Sequence, residues 1–216
     1  FNQGTLDIVS LDVGLAQNTT FTRTSQINLG GGTVTLGNGD SENPGLISLA
    51  RNATGVLNLT GGTLSAYQHI TESSGTGSAN LTLNGAILDL LGNSIVDITT
   101  LNLQSGTLKN VAQINGGSAI TKSGSGTLVL NGSNAFTSPI TISAGTLELA
   151  STHNLTGAIS GTGNPTVSGT LTGNGSVSAP TTVTGSLAPA AGSLAFSGAL
   201  TFSGGRVKSS IATNSA

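Results

Sequence analysis

Six copies of one eight-residue pattern limit what this chain can fold into. The pattern reads apolar, any, apolar, any, small, small, any, apolar. It occupies residues 27–34 (INLGGGTV), 57–64 (LNLTGGTL), 81–88 (LTLNGAIL), 101–108 (LNLQSGTL), 140–147 (ITISAGTL) and 200–207 (LTFSGGRV). The starts lie 30, 24, 20, 39 and 60 residues apart, and the last two intervals are near two and three times 20. Recurrence at this period marks a solenoid, in which each unit buries its apolar face only against its neighbours. Function in such a fold is usually spread over a surface, which favours a scaffold over a catalyst.

Each copy opens with strict alternation, as in Leu57-Asn58-Leu59, the sign of a strand with one buried face. Two small residues then make a corner, and a second short strand follows. No useful stretch has a 3.6-residue period, and Thr, Ser and Gly outnumber helix formers. A β-sandwich array also fits short strands with Gly turns. It needs roughly 100 residues per unit, however, and the unit here holds only two or three strands. The expected fold is therefore all-β: a right-handed parallel β-helix, or β-solenoid, with irregular rungs of about 20–30 residues. Leu29, Leu59, Leu83, Leu103, Leu130 and Leu149 are expected in the core, with Asn28, Asn58 and Asn102 on the opposite face. Loops are expected to protrude at residues 37–44 (GNGDSENP) and 65–77 (SAYQHITESSGTG).

Composition narrows the function classes. Only 6% of the 216 residues are charged, against roughly 25% in an ordinary soluble domain. Yet 36% are hydrophobic and recur at regular places, unlike a disordered polar chain. The net charge is −2, and Arg23, Arg51, Lys109, Lys122, Arg206 and Lys208 are scattered. Nucleic acid and anionic membranes need clustered basic residues, so neither is an expected partner. No apolar run approaches the roughly 20 residues of a membrane-spanning helix. The absence of cysteine excludes disulfides and thiolate metal sites. No signal peptide is seen. Residues 1–6 (FNQGTL) fit the last six positions of the pattern, so the chain reads as a piece of something longer.

Residues 124–150 read GSGTLVLNGSNAFTSPITISAGTLELA. This segment resembles the autotransporter-associated β-strand repeat, also called the passenger-associated transport repeat, of bacterial surface proteins. The resemblance is carried by Gly124, Gly126-Thr127-Leu128, Leu130, Gly132, Asn134, Ile142 and Gly145-Thr146-Leu147. Phe136 stands where the family usually has Tyr, and Ser138-Pro139 where small Gly-rich residues are usual. Both keep an aromatic plug and a turn. Residues 169–175 (GTLTGNG) and 185–189 (GSLAP) resemble the segment that commonly follows the repeat. The resemblance implies a β-helical stalk outside the cell and no enzymatic activity. Residues 1–216 are read as one solenoid fragment, with 124–150 the best repeat and 151–205 a Gly/Thr/Ser/Ala-rich continuation.

Several polar groups merit weighing as sites. Asp40, Glu42 and Asn43 share a Gly-rich loop and offer oxygen ligands for calcium. They lack the spacing of an EF-hand or a calcium-binding nonapeptide, and read as an ordinary loop. Tyr67, His69 and Glu72 offer acid–base groups, with Asp40 or Asp89 as a partner brought alongside by stacking. A surface loop is the simpler reading. His153 has less company. Asp7 with Asp12, and Asp89 with Asp97, are the acidic pairs that a polysaccharide-cleaving β-helix would use. Alternation puts Asp7 and Asp89 on solvent faces of strands. Asn-x-Ser/Thr triplets such as Asn18-Thr19-Thr20 are expected by chance in this composition. Gly30-Gly31-Gly32 and Gly204-Gly205 read as corners.

No catalytic residue, metal site or cofactor is expected. The expected function is a non-enzymatic structural solenoid of the bacterial exterior: stalk, matrix component, adhesin or self-associating fibre subunit. The alternative is a carbohydrate-binding or polysaccharide-cleaving β-helix, with surface glycans as partners. One Tyr and five Phe offer few stacking platforms for sugars. The expected partner is the protein itself, end to end, or the remainder of a longer chain. Residues 206–211 (RVKSSI) continue as an alternating strand rather than a capping helix, and open strand edges invite pairing.

Overall fold

In a computed structural model, the structure describes residues 1–14, 23–37, 47–73, 75–155, 157–173, 175–189 and 194–208. The chain is all-β, with no α-helix among these residues and a single 3-10 turn at Asn115–Gly117. One 15-stranded sheet and two four-stranded sheets hold the strands, and neighbours in the sheets are non-consecutive in sequence. Every strand pairing among the described residues is parallel. Parallel pairing of successive units, each offset by one repeat, makes the fold a β-solenoid.

The eight-residue pattern folds as two arms meeting at a corner. In the first copies both arms belong to one long strand: Thr24–Leu36, Thr54–Ala66, Ser78–Asp89 and Thr100–Lys109. Their register shifts fall at or beside the small residues, between Leu29 and Thr33 and between Leu83 and Ile87. At that corner Gly62 has φ +74, and a Cβ there would stand 2.4 Å from Gly32 O. The corner therefore needs glycine twice over, for the left-handed backbone and for the close rung above. Beyond Lys109 the arms separate into pairs of strands, such as Ile120–Lys122 with Thr127–Asn131 and Ile140–Ile142 with Thr146–Leu149. A third wall closes the coil. Leu11–Val13, Ile47–Leu49, Ile70–Glu72 and Ile95–Val96 form its first sheet; Thr152–Leu155, Thr170–Gly173, Ser186–Pro189 and Arg206–Val207 form its second.

Stacking fixes the core. Leu29, Leu59, Leu83 and Leu103 lie in one inward file, partner on partner. Val34, Leu64, Leu88, Leu108, Leu130 and Leu149 form another. All six leucines expected in the core are at most 2% exposed. Asn28 and Asn58 face outward, and Asn58 Nδ2 donates to Asn28 Oδ1 at 2.9 Å. The ladder then passes through Thr82, whose Oγ1 accepts from Asn102 Nδ2 at 3.4 Å.

Several expectations need correction. Successive partners on the second arm are Thr5, Thr33, Thr63, Ile87, Thr107, Val129, Glu148, Thr166, Thr182 and Thr201. Rung length therefore falls from 30 residues (Thr33 to Thr63) to 16 (Thr166 to Thr182), below the expected range. The fifth copy keeps register on its first arm only. Leu147 stacks on Leu128, which stacks on Gly106, so Leu149 and not Leu147 continues the file of Leu108. Its corner is two residues wider. The sixth copy is one wall out of phase: Leu200–Phe202 continue the second arm, and Arg206–Val207 belong to the third wall. Residues 65–77 are not simply a protruding loop. They include the strand Ile70–Glu72, and Ile70 is fully buried. The other expected loop, 37–44, lies outside the described residues beyond Gly37, and Ser209, Ser210 and Ile211 do too.

Candidate functional site

Asp40, Glu42, Asn43 and the triplet Asn18-Thr19-Thr20 lie outside the described residues. Of the other candidates, Asp12, His69, Glu72, Asp89 and His153 have structural partners. Glu72 Oε2 accepts from the backbone N–H of Ala79 and of Thr99, both at 3.1 Å, and from Thr99 Oγ1. It thereby ties the start of the strand Ser78–Asp89 to the rung above. His69 is exposed, and its Nδ1 accepts from Ser94 N at 3.0 Å. Tyr67 is exposed, with its backbone N–H bonded to Leu36 O. The hydrogen bonds of His69 and Glu72 lead to different neighbours, Ser94 and Thr99, and not to each other.

The acidic pairs are split between walls. Asp7 is on the strand Thr5–Ile8 of the large sheet and exposed; Asp12 is on the third wall, 3.9 Å from Arg51. Asp89 ends the strand Ser78–Asp89, whereas exposed Asp97 follows the third-wall strand Ile95–Val96. Asp89 is not on an open face as expected, being only 8% exposed. Lys109 Nζ lies 2.9 Å from it, Asn110 Nδ2 donates at 2.8 Å and Leu91 N at 3.1 Å. Burial pushes its carboxyl pKa up, but these donors and the Lys109 charge outweigh that and hold it below the usual value. Such a carboxylate stays ionised and spoken for. Its register neighbours are Ser65 and Lys109, not His69.

His153 is 7% exposed on the third-wall strand Thr152–Leu155, with Nε2 3.0 Å from Leu130 O. Desolvation lowers its pKa, and the Leu130 carbonyl opposes that in part. The glycines of residues 30–32 form the corner inside the strand Thr24–Leu36. Among the described residues no three His, Asp or Glu side chains gather as a metal site would require.

Sequence reasoning missed Lys122, which it counted among scattered basic residues. The side chain is fully buried, in the leucine file between Leu103 and Ile142. Nζ donates to the carbonyls of Ser123 at 2.6 Å, Gly124 at 2.8 Å and Ala144 at 3.0 Å. Ser123, Gly124 and Ala144 belong to the two widened corners. A wider corner leaves carbonyls outside the strand ladder, and three N–H donors on one ammonium satisfy three of them. The signal was present in Ile120-Thr121-Lys122, an alternation that puts lysine in an apolar slot.

The geometry thus defines a parallel β-solenoid whose polar groups mostly serve its own backbone. Residues 120–149 match the sequence model of the passenger-associated-transport-repeat family. That span covers the widened corners and Lys122, and agrees with the resemblance read from residues 124–150. No curated protein and no solved structure matches the chain.

Proposed function

We propose that this chain is a non-enzymatic structural β-solenoid of the bacterial exterior, acting as stalk, matrix component, adhesin or fibre subunit. The whole of residues 1–216 is taken as one unit of that rod. The observation that carries this reading is how the candidate catalytic groups are used. Glu72 is bonded to two backbone amides and a threonine hydroxyl, Asp89 to Lys109, Asn110 and Leu91, and the acidic pairs are divided between walls. Retaining and inverting glycosidases need two carboxyl groups about 5–10 Å apart around one bond. The passenger-associated transport repeat at residues 120–149 supports a secreted or surface location.

Incubation with a panel of plant, algal and bacterial polysaccharides tests the reading. Reducing ends should not rise above the buffer control with any of them. Depolymerisation that disappears in Glu72→Gln or His69→Ala would establish the enzymatic alternative instead.

A further inference from the structure

Among the described residues, the two sheets of the third wall are separated by two crossings. Residues 110–119 carry one isolated bridge, Ile114 to Ile95, and the 3-10 turn; residues 132–139, one rung further on, have no strand structure. This crossing is held by isolated bonds rather than a ladder. Ser133 N donates to Asn110 Oδ1 at 2.9 Å, Ala135 N to Val111 O at 2.8 Å and Ser138 Oγ to Ile114 O at 3.3 Å, while Asn134 Oδ1 accepts from Val111 N at 3.0 Å and Pro139 O from Ile120 N at 2.9 Å. Phe136 packs from it onto the core. A segment so held opens at lower free energy than the stacked strands around it.

Beneath the crossing is a partly open cavity of about 30 Å³, lined by Leu130, Phe136, Leu149, Leu171 and His153, with exposed Thr137 and Asn154 at its mouth. That is space for about one or two water molecules. His153 Nε2 faces Leu130 O at 3.0 Å and Ser151 Oγ at 3.4 Å. A carbonyl only accepts, so in the neutral ring Nε2 carries the hydrogen and Nδ1 is bare. Ser151 Oγ in turn donates to the carbonyl of Gly132, the first residue of the crossing, at 2.6 Å. The histidine is therefore coupled to the crossing through one hydroxyl. A second proton must go to Nδ1, and among the described residues no Asp, Glu, Lys or Arg lines the cavity to balance or repel the charge. Of the segments that line it, the one with a charged side chain is Thr146–Leu149. Its Glu148 is engaged elsewhere, accepting from Ser168 Oγ at 2.7 Å.

We infer that residues 132–139 and His153 form a pH-operated latch. The crossing covers His153 while the imidazole is neutral, and lifts when the ring is protonated, exposing the imidazole and the rest of Phe136 to water. Burial holds His153 below its ordinary 6.5, so the folded, closed state binds the proton less well than an open one. Closure is at full strength above 6.5 and is lost as pH falls through the folded value.

The test combines proton NMR of the imidazole with amide hydrogen exchange. The chain has two histidines, so a His69→Asn background leaves His153 alone to titrate. His153 should titrate below the ordinary imidazole range. Between 6.5 and that transition, protection at Val111 and Ala135, corrected for intrinsic rate, should fall about tenfold for each pH unit lowered, and should level off below it. Strands Thr54–Ala66 and Ser78–Asp89 should keep their protection. In His153→Gln, which can still donate to Leu130 O, local protection should not depend on pH. Three results would overturn the latch: His153 titrating with no change at 132–139, simultaneous loss of protection in the distant strands, or persistent pH-dependent opening in His153→Gln. The first two are read on protein carrying His153, so they stand even if the glutamine variant does not fold.

Discussion

At the scale of a residue, one inward file contains two opposite solutions to burial. Leu59, Leu83 and Leu103 contribute apolar area, about 1.5–3 kcal/mol each relative to exposure. Lys122 continues the same file as a cation and is tolerated because its three donors meet three carbonyls. Leu103→Asp offers no such partners and should unfold the surrounding rungs. Lys122→Met keeps the volume but orphans the carbonyls, and should cost about 2–4 kcal/mol at neutral pH by urea denaturation. The pH dependence has a definite sign. Burial pulls Lys122 below its ordinary 10.5, so the unfolded chain binds the proton more tightly. Stability should rise with pH from the folded value up to 10.5 and level off above it. Lys122→Met should lack that rise; an identical alkaline profile in the two proteins would show that the ammonium is not desolvated.

At the scale of an element, the corner decides which sequences can stack. Gly145 has φ +70, and a Cβ there would meet Gly126 O at 2.4 Å. Gly92 has φ +91 with nothing within 4 Å. The pair separates backbone strain from rung clash. Gly92→Ala should cost about 1–2 kcal/mol, the strain of a left-handed alanine. Gly145→Ala adds a collision with the backbone of the neighbouring rung and should cost about 3 kcal/mol or more. Thermal melts of the two variants measure the difference; equal losses would mean that the rungs give way without cost. The alternating pattern made the arms legible in sequence, because inward and outward side chains obey a period of two. It did not reveal the widening of the corners, by three residues after Lys122 and by two after Ile142, since small residues fit a wide corner as well as a narrow one.

At the scale of the whole molecule, ten strands stack on the second arm among the described residues, at about 4.8 Å each, and each rung touches chiefly its neighbours. Exposed Leu200, Phe202 and Val207 lie on the last described strands, at 36%, 42% and 57% exposure. With few surface charges to keep copies apart, the 216-residue chain should self-associate. A head-to-tail contact does not close and would extend as a filament. Sedimentation velocity at rising concentration should show the mean size growing; a monodisperse monomer throughout would remove the fibre version of the proposed function.

The sequence by itself determined the parallel stack, the six core leucines and the outward asparagines. These follow from local alternation repeated at one period, and stacking only copies a local fact from rung to rung. Tertiary structure alone decided the phase of the last copy, the burial of Lys122 and Asp89, and the partners of Glu72 and His153. Each depends on how many residues the intervening corners consume, which sets what lies one rung above. In a solenoid the nearest neighbour in space is 16–30 residues away in sequence. A shift of two residues at one corner therefore changes every partner beyond it while leaving the pattern itself intact.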